Sequence, residues 1–348
     1  MQKLRSLLLE IPKTEIHLHL EAVASVDTIW TLMKRHNISH ADISSKSDLK
    51  KKFNITSLTE MIDLFINVIQ NCFREESDIE LLIDDANSYL KKNNIVYAEI
   101  FFSPSMFLKN GLEFEQMAER LVSGSARIKK DSNITVYFII DVSRTFGIEN
   151  AQKNLDLTLN NRSDAIIGIG LGGAEESGPA RDYVDVFERA ITEGFHVVAH
   201  AGEVIGPESV WDALQLLKAE RIGHGISSIF DEKLVSHLAA TQIPLEICPT
   251  SNIFTQKYVK QLEEHPIRPF FDSGVNVTVN TDDPTLFGVD LVDEYIRLAN
   301  RDFFTSKEII QLVKNNIYAT FLPSNRKDEL WNTTTEIVDR YSDELKIS

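Results

Sequence analysis

The stretch Ile134–Asp141, which reads Ile-Thr-Val-Tyr-Phe-Ile-Ile-Asp, is almost continuously apolar and rich in β-branched and aromatic residues. Such a run is typical of a β-strand that is buried on both faces. Strands of this kind occur in parallel sheets, whose two faces are covered by helices. The stretch therefore indicates an α/β fold, in which further strands and helices must flank it.

Similar runs recur along the chain, before and after this one. They are Glu15–Glu21, Ile95–Phe102, Ala165–Leu171, Phe195–His200, Arg221–His224, Pro244–Cys248 and Asn276–Thr281. Segments with apolar residues at helical spacing lie between them. These are Ser25–Asn37, Ser57–Phe73, Asp78–Lys92, Leu112–Lys130, Gly147–Asn160, Ala180–Glu193, Ser209–Ala219, Glu232–Ala240 and Tyr258–Phe271. Strands that alternate with helices predict a (β/α)8 barrel of the TIM type with additional helices; a doubly wound open sheet is the alternative.

The chain carries no internal boundary that would divide it into domains. No Pro-, Gly- or Ser-rich linker, repeat or low-complexity segment interrupts its 348 residues. We therefore predict a single domain over residues 1–348, with Leu291–Ser348 helical and packed outside the barrel. The strongly apolar helix Ser57–Phe73 has two interpretations, core packing or an apolar cover over a pocket.

Composition and charge exclude several classes of protein. The formal net charge of −16 argues against a nucleic-acid partner. The two cysteines, Cys72 and Cys248, are too few for a disulfide framework. Apolar runs are too short for a membrane span, and the one near the N-terminus is too short for a signal peptide. We therefore expect a cytoplasmic protein that does not associate with membranes.

The polar residues of the first predicted strand suggest chemistry. His17 and His19 are two positions apart, so their imidazoles point to the same face of a strand. A pair of histidines on one rigid element can bind a metal ion. An isolated His-x-His pair is more often two histidines hydrogen-bonded within a core, so the interpretation depends on further ligands elsewhere in the chain.

Further ligand-type residues follow other predicted strands. His200, Glu203, His224, Asp282 and Asp283 all lie at or just after strand ends. In a barrel these ends meet at one rim, where active sites are built. Three imidazoles and one carboxylate form a plausible zinc set, so we predict a zinc site with four ligands here. The ligands are His17, His19, His200 and Asp282.

The remaining three residues at this rim have acid–base potential. Glu203 can supply a proton, and His224 can orient or deprotonate a water molecule; Asp283 is the third. A catalytic zinc keeps a position for water and lowers its pKa to about 7. The set therefore predicts hydrolytic attack on an electrophilic carbon. The competing motif Gly168–Gly173 fits the dinucleotide fingerprint G-x-G-x-x-G, but its position in the middle of the strand series argues against that use.

Together, these motifs resemble the adenosine deaminase family of purine aminohydrolases, within the metal-dependent amidohydrolase barrels. The matching segments occur in the family's order and cover nearly the whole chain. They are Pro12–Glu21, Tyr97–Pro104, Leu171–Glu175, His200–Glu203, Arg221–Gly225, Cys248–Asn252 and Asn280–Pro284. The resemblance implies a (β/α)8 fold and one zinc ion per subunit, held by the four ligands named above. Cytidine-type deaminases use H-x-E and P-C-x-x-C signatures, which this chain lacks.

The resemblance also implies the roles of the remaining site residues. Glu203 would protonate purine N1, and His224 would activate or orient the attacking water. Asp283 would contact the water and purine N7, and the backbone of Gly173 would lie against N3. The metal ligand His19 also faces the substrate. The 6-amino group would then leave as ammonia.

One departure from the family pattern concerns the substrate. Adenosine-acting members usually carry Asp-Gly after His-x-His-Leu, where this chain has Glu21-Ala22. The acidic residue at this position normally reaches toward the sugar. Adenosine is the favoured substrate; the alternatives are adenine, N6-methyl-AMP, methylthioadenosine and aminodeoxyfutalosine.

Two other classes of function compete with deamination. The first is a purine-binding barrel without catalysis, although a binder has no need for Glu203, His224 and Asp283 together. The second is a metal hydrolase that cleaves an amide or a phosphoester. A phosphoester would favour a basic rim, and the motif segments contain almost no Lys or Arg. The sequence makes no prediction of oligomeric state.

Overall fold

The structure is a computed structural model that describes residues 1–55, 57–300, 303–345 and 347. Its centre is an eight-stranded sheet in which each strand is hydrogen-bonded to the next in chain order. The strands are β1 Lys13–His19, β2 Ile95–Phe102, β3 Thr135–Ser143, β4 Ile166–Gly172, β5 His196–Ala201, β6 Arg221–His224, β7 Leu245–Ile247 and β8 Val277–Val279. All seven neighbouring pairs are parallel.

The sheet closes between its first and last strands. Leu18 and Asp282 form a parallel bridge. The backbone N–H of His19 donates to the carbonyl of Asp282, and the N–H of Asp282 donates to the carbonyl of His17, each over 3.1 Å. The predicted barrel is therefore confirmed, and the open sheet is wrong.

Helices surround the barrel. In the first half of the chain they are α1 Gln2–Glu10, α2 Val26–Arg35, α3 Lys46–Lys52, α4 Leu58–Leu64, α5 Gln70–Cys72, α6 Glu76–Lys92, α7 Pro104–Lys109, α8 Phe114–Ser132 and α9 Gly147–Asn160. The second half adds α10 Val184–Thr192, α11 Pro207–Gln215, α12 Glu232–Thr241, α13 Pro249–Thr255, α14 Ile267–Asp272, α15 Pro284–Phe287, α16 Leu291–Ala299, α17 Ser306–Ala319, α18 Ser324–Asp339 and α19 Ser342–Leu345. Among the described residues, no helix is long and apolar enough to cross a membrane.

Two predicted helices differ from the observed elements. The segment Tyr258–Phe271 is not one helix, because only Leu262–Glu264 (a 3-10 turn) and α14 are helical. Pro266 is the reason, since a proline disfavours helical geometry in the residue before it, and His265 is extended with φ −69° and ψ 130°. The predicted helix Ser57–Phe73 is divided between α4 and α5 by the π-helical turn Phe65–Ile69.

An ion-pair network fills the barrel interior below the predicted metal ligands. The Arg221 guanidinium donates to Glu246 over 2.6 Å and lies 2.6 Å from Glu99. All three side chains are buried. Buried charges are stable only when they are paired, and this network pairs residues of β2, β6 and β7.

Candidate active site

The four predicted metal ligands converge at the carboxyl end of the barrel. His17 and His19 come from the end of β1, His200 from β5 and Asp282 from just after β8. One ligand atom from each lies within 4.8 Å of all the others. Asp282 Oδ1 is 3.5 Å from His17 Nε2 and 3.3 Å from His19 Nε2. Residues from three strand ends thus present their ligand atoms to one small volume.

The chemistry of this cluster fits a zinc ion. His17 Nδ1 lies 2.7 Å from Glu246 Oε2, and a carboxylate oxygen accepts, so Nδ1 carries the proton. The Nε2 atom of His17 then has a free lone pair; it is buried and has no hydrogen-bond partner among the described residues. A metal-binding imidazole usually donates its other ring N–H to a carboxylate, a backbone carbonyl or water, as His17 does here to Glu246. Three imidazoles and one carboxylate are a common zinc donor set.

Space for His17 comes from a glycine on β6. A Cβ atom at Gly223 would lie 2.7 Å from the Cε1 atom of the His17 ring. No other residue type fits at this position without displacing that ring. Gly223 therefore leaves space for the ring of His17 on β1, and the next residue, His224, adds a second imidazole to the site.

The three predicted acid–base residues lie beside the cluster. His224 Nε2 is 3.6 Å from Glu203 Oε2 and 3.9 Å from Asp282 Oδ2. Burial raises the pKa of Glu203 above its ordinary value. Burial and the neighbouring Asp282 raise the pKa of Asp283 to about 7. Carboxyl groups of this kind hold a proton closer to neutral pH, as a proton donor must.

Two residues of the site, one acid–base residue and one predicted metal ligand, have unusual backbone conformations. His224 has a φ of 61° and Asp282 a φ of 64°, in the left-handed region. For residues other than glycine this conformation costs of order 1–3 kcal/mol and clusters at functional sites. Here both strained residues direct their side chains to the same centre.

A cavity of about 570 Å³ opens beside the ligand cluster. Its lining includes all four predicted substrate-binding residues, His19, Glu21, Gly173 and Asp283. Apolar side chains form one wall, namely Phe65, Ile66, Ile69, Phe73, Met106 and Phe107. The helix predicted over Ser57–Phe73 therefore supplies much of this wall, as its second interpretation required.

The polar wall contains a pair of buried acids. The Ser103 backbone N–H donates to Glu21 Oε1 over 2.8 Å, and its hydroxyl donates to Asp141 Oδ2 over 3.0 Å. Burial raises the pKa of both acids, that of Glu21 to about 7. The sequence analysis missed Asp141 as a site residue. Its available signal was an acid at the end of an otherwise apolar strand.

Glu175 is a second residue whose role the sequence analysis missed. Its carboxylate accepts hydrogen bonds from four successive backbone N–H groups, those of residues 202–205, over 2.6–3.1 Å. It also accepts from the Ser209 hydroxyl. The matched segment Leu171–Glu175 contains it, but a contact with the backbone of a distant loop leaves no pattern in the sequence. Glu175 thus fixes the loop that carries Glu203.

Comparisons with known proteins agree with this geometry. The model of the family described as Adenosine deaminase matches residues 12–337. An aminodeoxyfutalosine deaminase from Streptomyces avermitilis is 35% identical, over 93% of this chain and 90% of that protein. A crystal structure of adenine deaminase from Arthrobacter aurescens superposes with a TM-score of 0.87 and 30% identity, over 94% of this chain and 99% of that one.

A further solved structure shares the fold. It is an amidohydrolase from Burkholderia ambifaria with bound Zn, with a TM-score of 0.88 and 23% identity. The match covers 99% of this chain and 95% of that one.

Proposed function

Since the chain belongs to the adenosine deaminase family, we propose that it converts the 6-amino group of an adenine nucleoside to a 6-oxo group, with adenosine and inosine as substrate and product. Family membership makes the chain a hydrolytic deaminase that acts on a carbon–nitrogen bond. The observation that carries the proposal is the convergence of His17, His19, His200 and Asp282 beside a cavity.

We propose that one zinc ion per subunit is held by these four residues. When bound, the ion supplies a water molecule of lowered pKa. Around it, Glu246 fixes the proton of His17 on Nδ1, and the Ser251 hydroxyl donates to Asp282 Oδ2 over 2.7 Å. These contacts hold the ligands in place and support the assignment.

The chain's own residues account for the proton transfers. Glu203, with its raised pKa, protonates purine N1, which makes C6 electrophilic. His224 lies 3.6 Å from Glu203 and activates or orients the attacking water. Asp283 holds a proton near neutral pH and faces N7. The backbone of Gly173, which lines the cavity, lies against N3.

Two features of the cavity favour a nucleoside over the free base. Its volume of about 570 Å³ exceeds what a purine alone would fill. Glu21 and Asp141, both buried on its polar wall, are suited to accept hydrogen bonds from sugar hydroxyls. A free adenine would leave Asp141 Oδ1, which has no hydrogen-bond partner among the described residues, without one, and a buried polar atom without a partner is costly.

A nucleoside with a larger group on the sugar is the second candidate. The cavity lining includes the apolar side chains of Phe65, Ile66 and Phe107, and it also includes Lys109. Such a wall favours an apolar or aromatic substituent, and the lysine favours a terminal anion. The similarity to a protein named aminodeoxyfutalosine deaminase supports this candidate, and methylthioadenosine would use the same wall. Adenine and N6-methyl-AMP are the remaining alternatives.

We further propose that residues 1–348 act as one domain in the cytoplasm. The family match covers nearly the whole chain, and one hydrophobic cluster extends through the barrel and its helices. Both cysteines, Cys72 and Cys248, are buried and free, as a reducing compartment permits.

A substrate panel tests the function directly. Release of the 6-amino group by the zinc-loaded protein is measured with adenosine, adenine, methylthioadenosine, aminodeoxyfutalosine and N6-methyl-AMP, as ammonia for the first four and as methylamine for the last. We expect higher kcat/KM for the nucleosides than for adenine. Glu203→Gln should keep its zinc and lose at least about 100-fold in kcat, because an amide cannot donate the proton. The matched control is Glu208→Gln, an exposed residue of the same segment. No ammonia or methylamine from any of the five compounds would refute the proposal.

A further inference from the structure

A chain of buried hydrogen bonds leads from a backbone amide to His224. Its first side chain is that of His265, which is 1% exposed. The backbone N–H of Ile267 donates to His265 Nδ1 over 3.1 Å. A backbone N–H can only donate, so Nδ1 carries no proton. Burial lowers the pKa of His265 to about 3, so the ring is neutral and its proton lies on Nε2.

The second step fixes the amide of Asn252. His265 Nε2 lies 3.3 Å from Asn252 Oδ1, which accepts its proton. Because His265 Nε2 carries a proton and can only donate, the atom of the Asn252 amide that faces it must be the oxygen. The Asn252 nitrogen therefore points to the other side, where it lies 3.1 Å from His224 Nδ1. Since Asn252 is fully buried, water does not compete for these contacts.

The third step fixes the tautomer of His224. An amide N–H2 group can only donate, so His224 Nδ1 accepts. The N–H of the ring is then on Nε2, the atom that lies 3.6 Å from Glu203 Oε2 and 3.9 Å from Asp282 Oδ2. A proton on Nδ1 would place two donors against each other. His224 therefore presents an N–H group to the reaction centre.

We infer that Asn252 and His265 are positioning residues that keep Nδ1 of His224 as a hydrogen-bond acceptor and Nε2 as the donor. His224 then orients the attacking water and does not remove its proton. This inference deepens the proposed function, in which either role was open, and rests on it only for the identity of the reaction. This relay is the chain of hydrogen bonds from Ile267 N–H through His265 and Asn252 to His224. Its direction is fixed because the backbone N–H of Ile267 can only donate.

Nitrogen-15 NMR of histidine-labelled, zinc-loaded protein tests the inference without substrate. The His224 signals are identified by their loss in His224→Gln. We expect an unprotonated Nδ1 and a protonated Nε2 in the wild type. Asn252→Asp replaces the donor with an acceptor of the same shape and should place a proton on Nδ1. The exposed control Asn332→Asp adds the same charge and should leave His224 unchanged. A proton on Nδ1 in the wild type, or none in Asn252→Asp, would overturn the inference.

Kinetics provide a second readout. Asn252→Asp should lower kcat at least about 100-fold with a smaller change in KM, because a wrong tautomer affects the reaction more than binding. His265→Gln keeps an acceptor for Ile267 and a donor for Asn252, so it should retain most activity, whereas His265→Leu should not. Equal losses in both His265 variants would contradict the relay. A protein with the expected tautomer that deaminates none of the panel would contradict the proposed function alone.

Discussion

The carboxyl of Asp141 is held by only one of its two oxygens. Ser103 donates to Oδ2, whereas Oδ1 has no hydrogen-bond partner among the described residues. The side chain is 2% exposed and lines the cavity. A buried polar atom without a partner costs about 1–3 kcal/mol, which a ligand hydroxyl at Oδ1 would recover. We therefore expect a substrate hydroxyl to donate a hydrogen bond to Oδ1.

Asp141→Asn should therefore discriminate between substrates. An amide keeps the shape but weakens acceptance from a sugar hydroxyl, so we expect kcat/KM for adenosine to fall by about 10-fold or more. The value for adenine, which has no sugar, should change less. The measurement is the ratio of the two kcat/KM values, with zinc content as the check on integrity. Asp131→Asn, on an exposed residue, is the control. A larger loss with adenine than with adenosine would show that Oδ1 contacts the base.

Most of the site residues could be predicted from their positions relative to the predicted strands. His17, His19, His200 and Asp282 could be grouped because each follows a predicted strand, and the structure brings them together. Their role as ligands stays a prediction. Asp141 could not be found, because its place depends on the neighbouring strand: a Cβ atom at Gly172 would lie 2.3 Å from Asp141 Oδ2. Two residues that share one space on adjacent strands leave no periodic signal.

Among the elements, the loop after β5 depends on one side chain. Glu175 accepts the backbone N–H groups of residues 202–205, and hydrogen bonds to a carboxylate are stronger than neutral ones. Glu175→Gln would place an amide N–H2 group against some of these donors. We expect kcat to fall about 10-fold or more while zinc content stays constant, because Glu203 loses its position. Hydrogen exchange of the loop amides should rise.

The neighbouring Glu176→Gln is the control, since Glu176 is exposed and its substitution makes the same change of charge. If Glu175→Gln left the loop amides protected and kcat unchanged, the loop would be held by other contacts. A parallel loss of zinc would instead place the effect at His200, which precedes the loop.

The segment Phe65–Ile69 shows what helix periodicity does not resolve. The apolar residues of Ser57–Phe73 predict a continuous helix, and the chain is helical there, but one turn is π-helical. Apolar spacing at i+3 and i+4 is compatible with either hydrogen-bond pattern, so the sequence does not distinguish them. Such turns are frequent at functional sites, and Ile66 of this one lines the cavity while 48% exposed.

For the whole molecule, the number of strands followed from their alternation with helices, whereas the closure of the barrel did not. Closure joins Leu18 to Asp282, far apart in the chain, through a single bridge. By comparison, six residue pairs join β3 and β4. The side chain of Asn316 on α17 supports the last strand by bonding both the N–H and the carbonyl of Val279, over 2.8 and 2.7 Å. This seam therefore has fewer paired residues than the junction of β3 and β4.

The predicted metal ligands lie on both sides of this seam, since His17 and His19 end β1 and Asp282 follows β8. A zinc ion held by them would join the two edges, so its removal should loosen the seam first. A ligand present at 1,000 times its Kd stabilises a protein by about 4 kcal/mol, and we expect chelation to lower Tm accordingly. Hydrogen exchange of the His19 and Asp282 amides should accelerate more than that of amides along β3 and β4, and added zinc should reverse both changes. Uniform acceleration around the barrel would mean that the ion stabilises the fold without joining its edges.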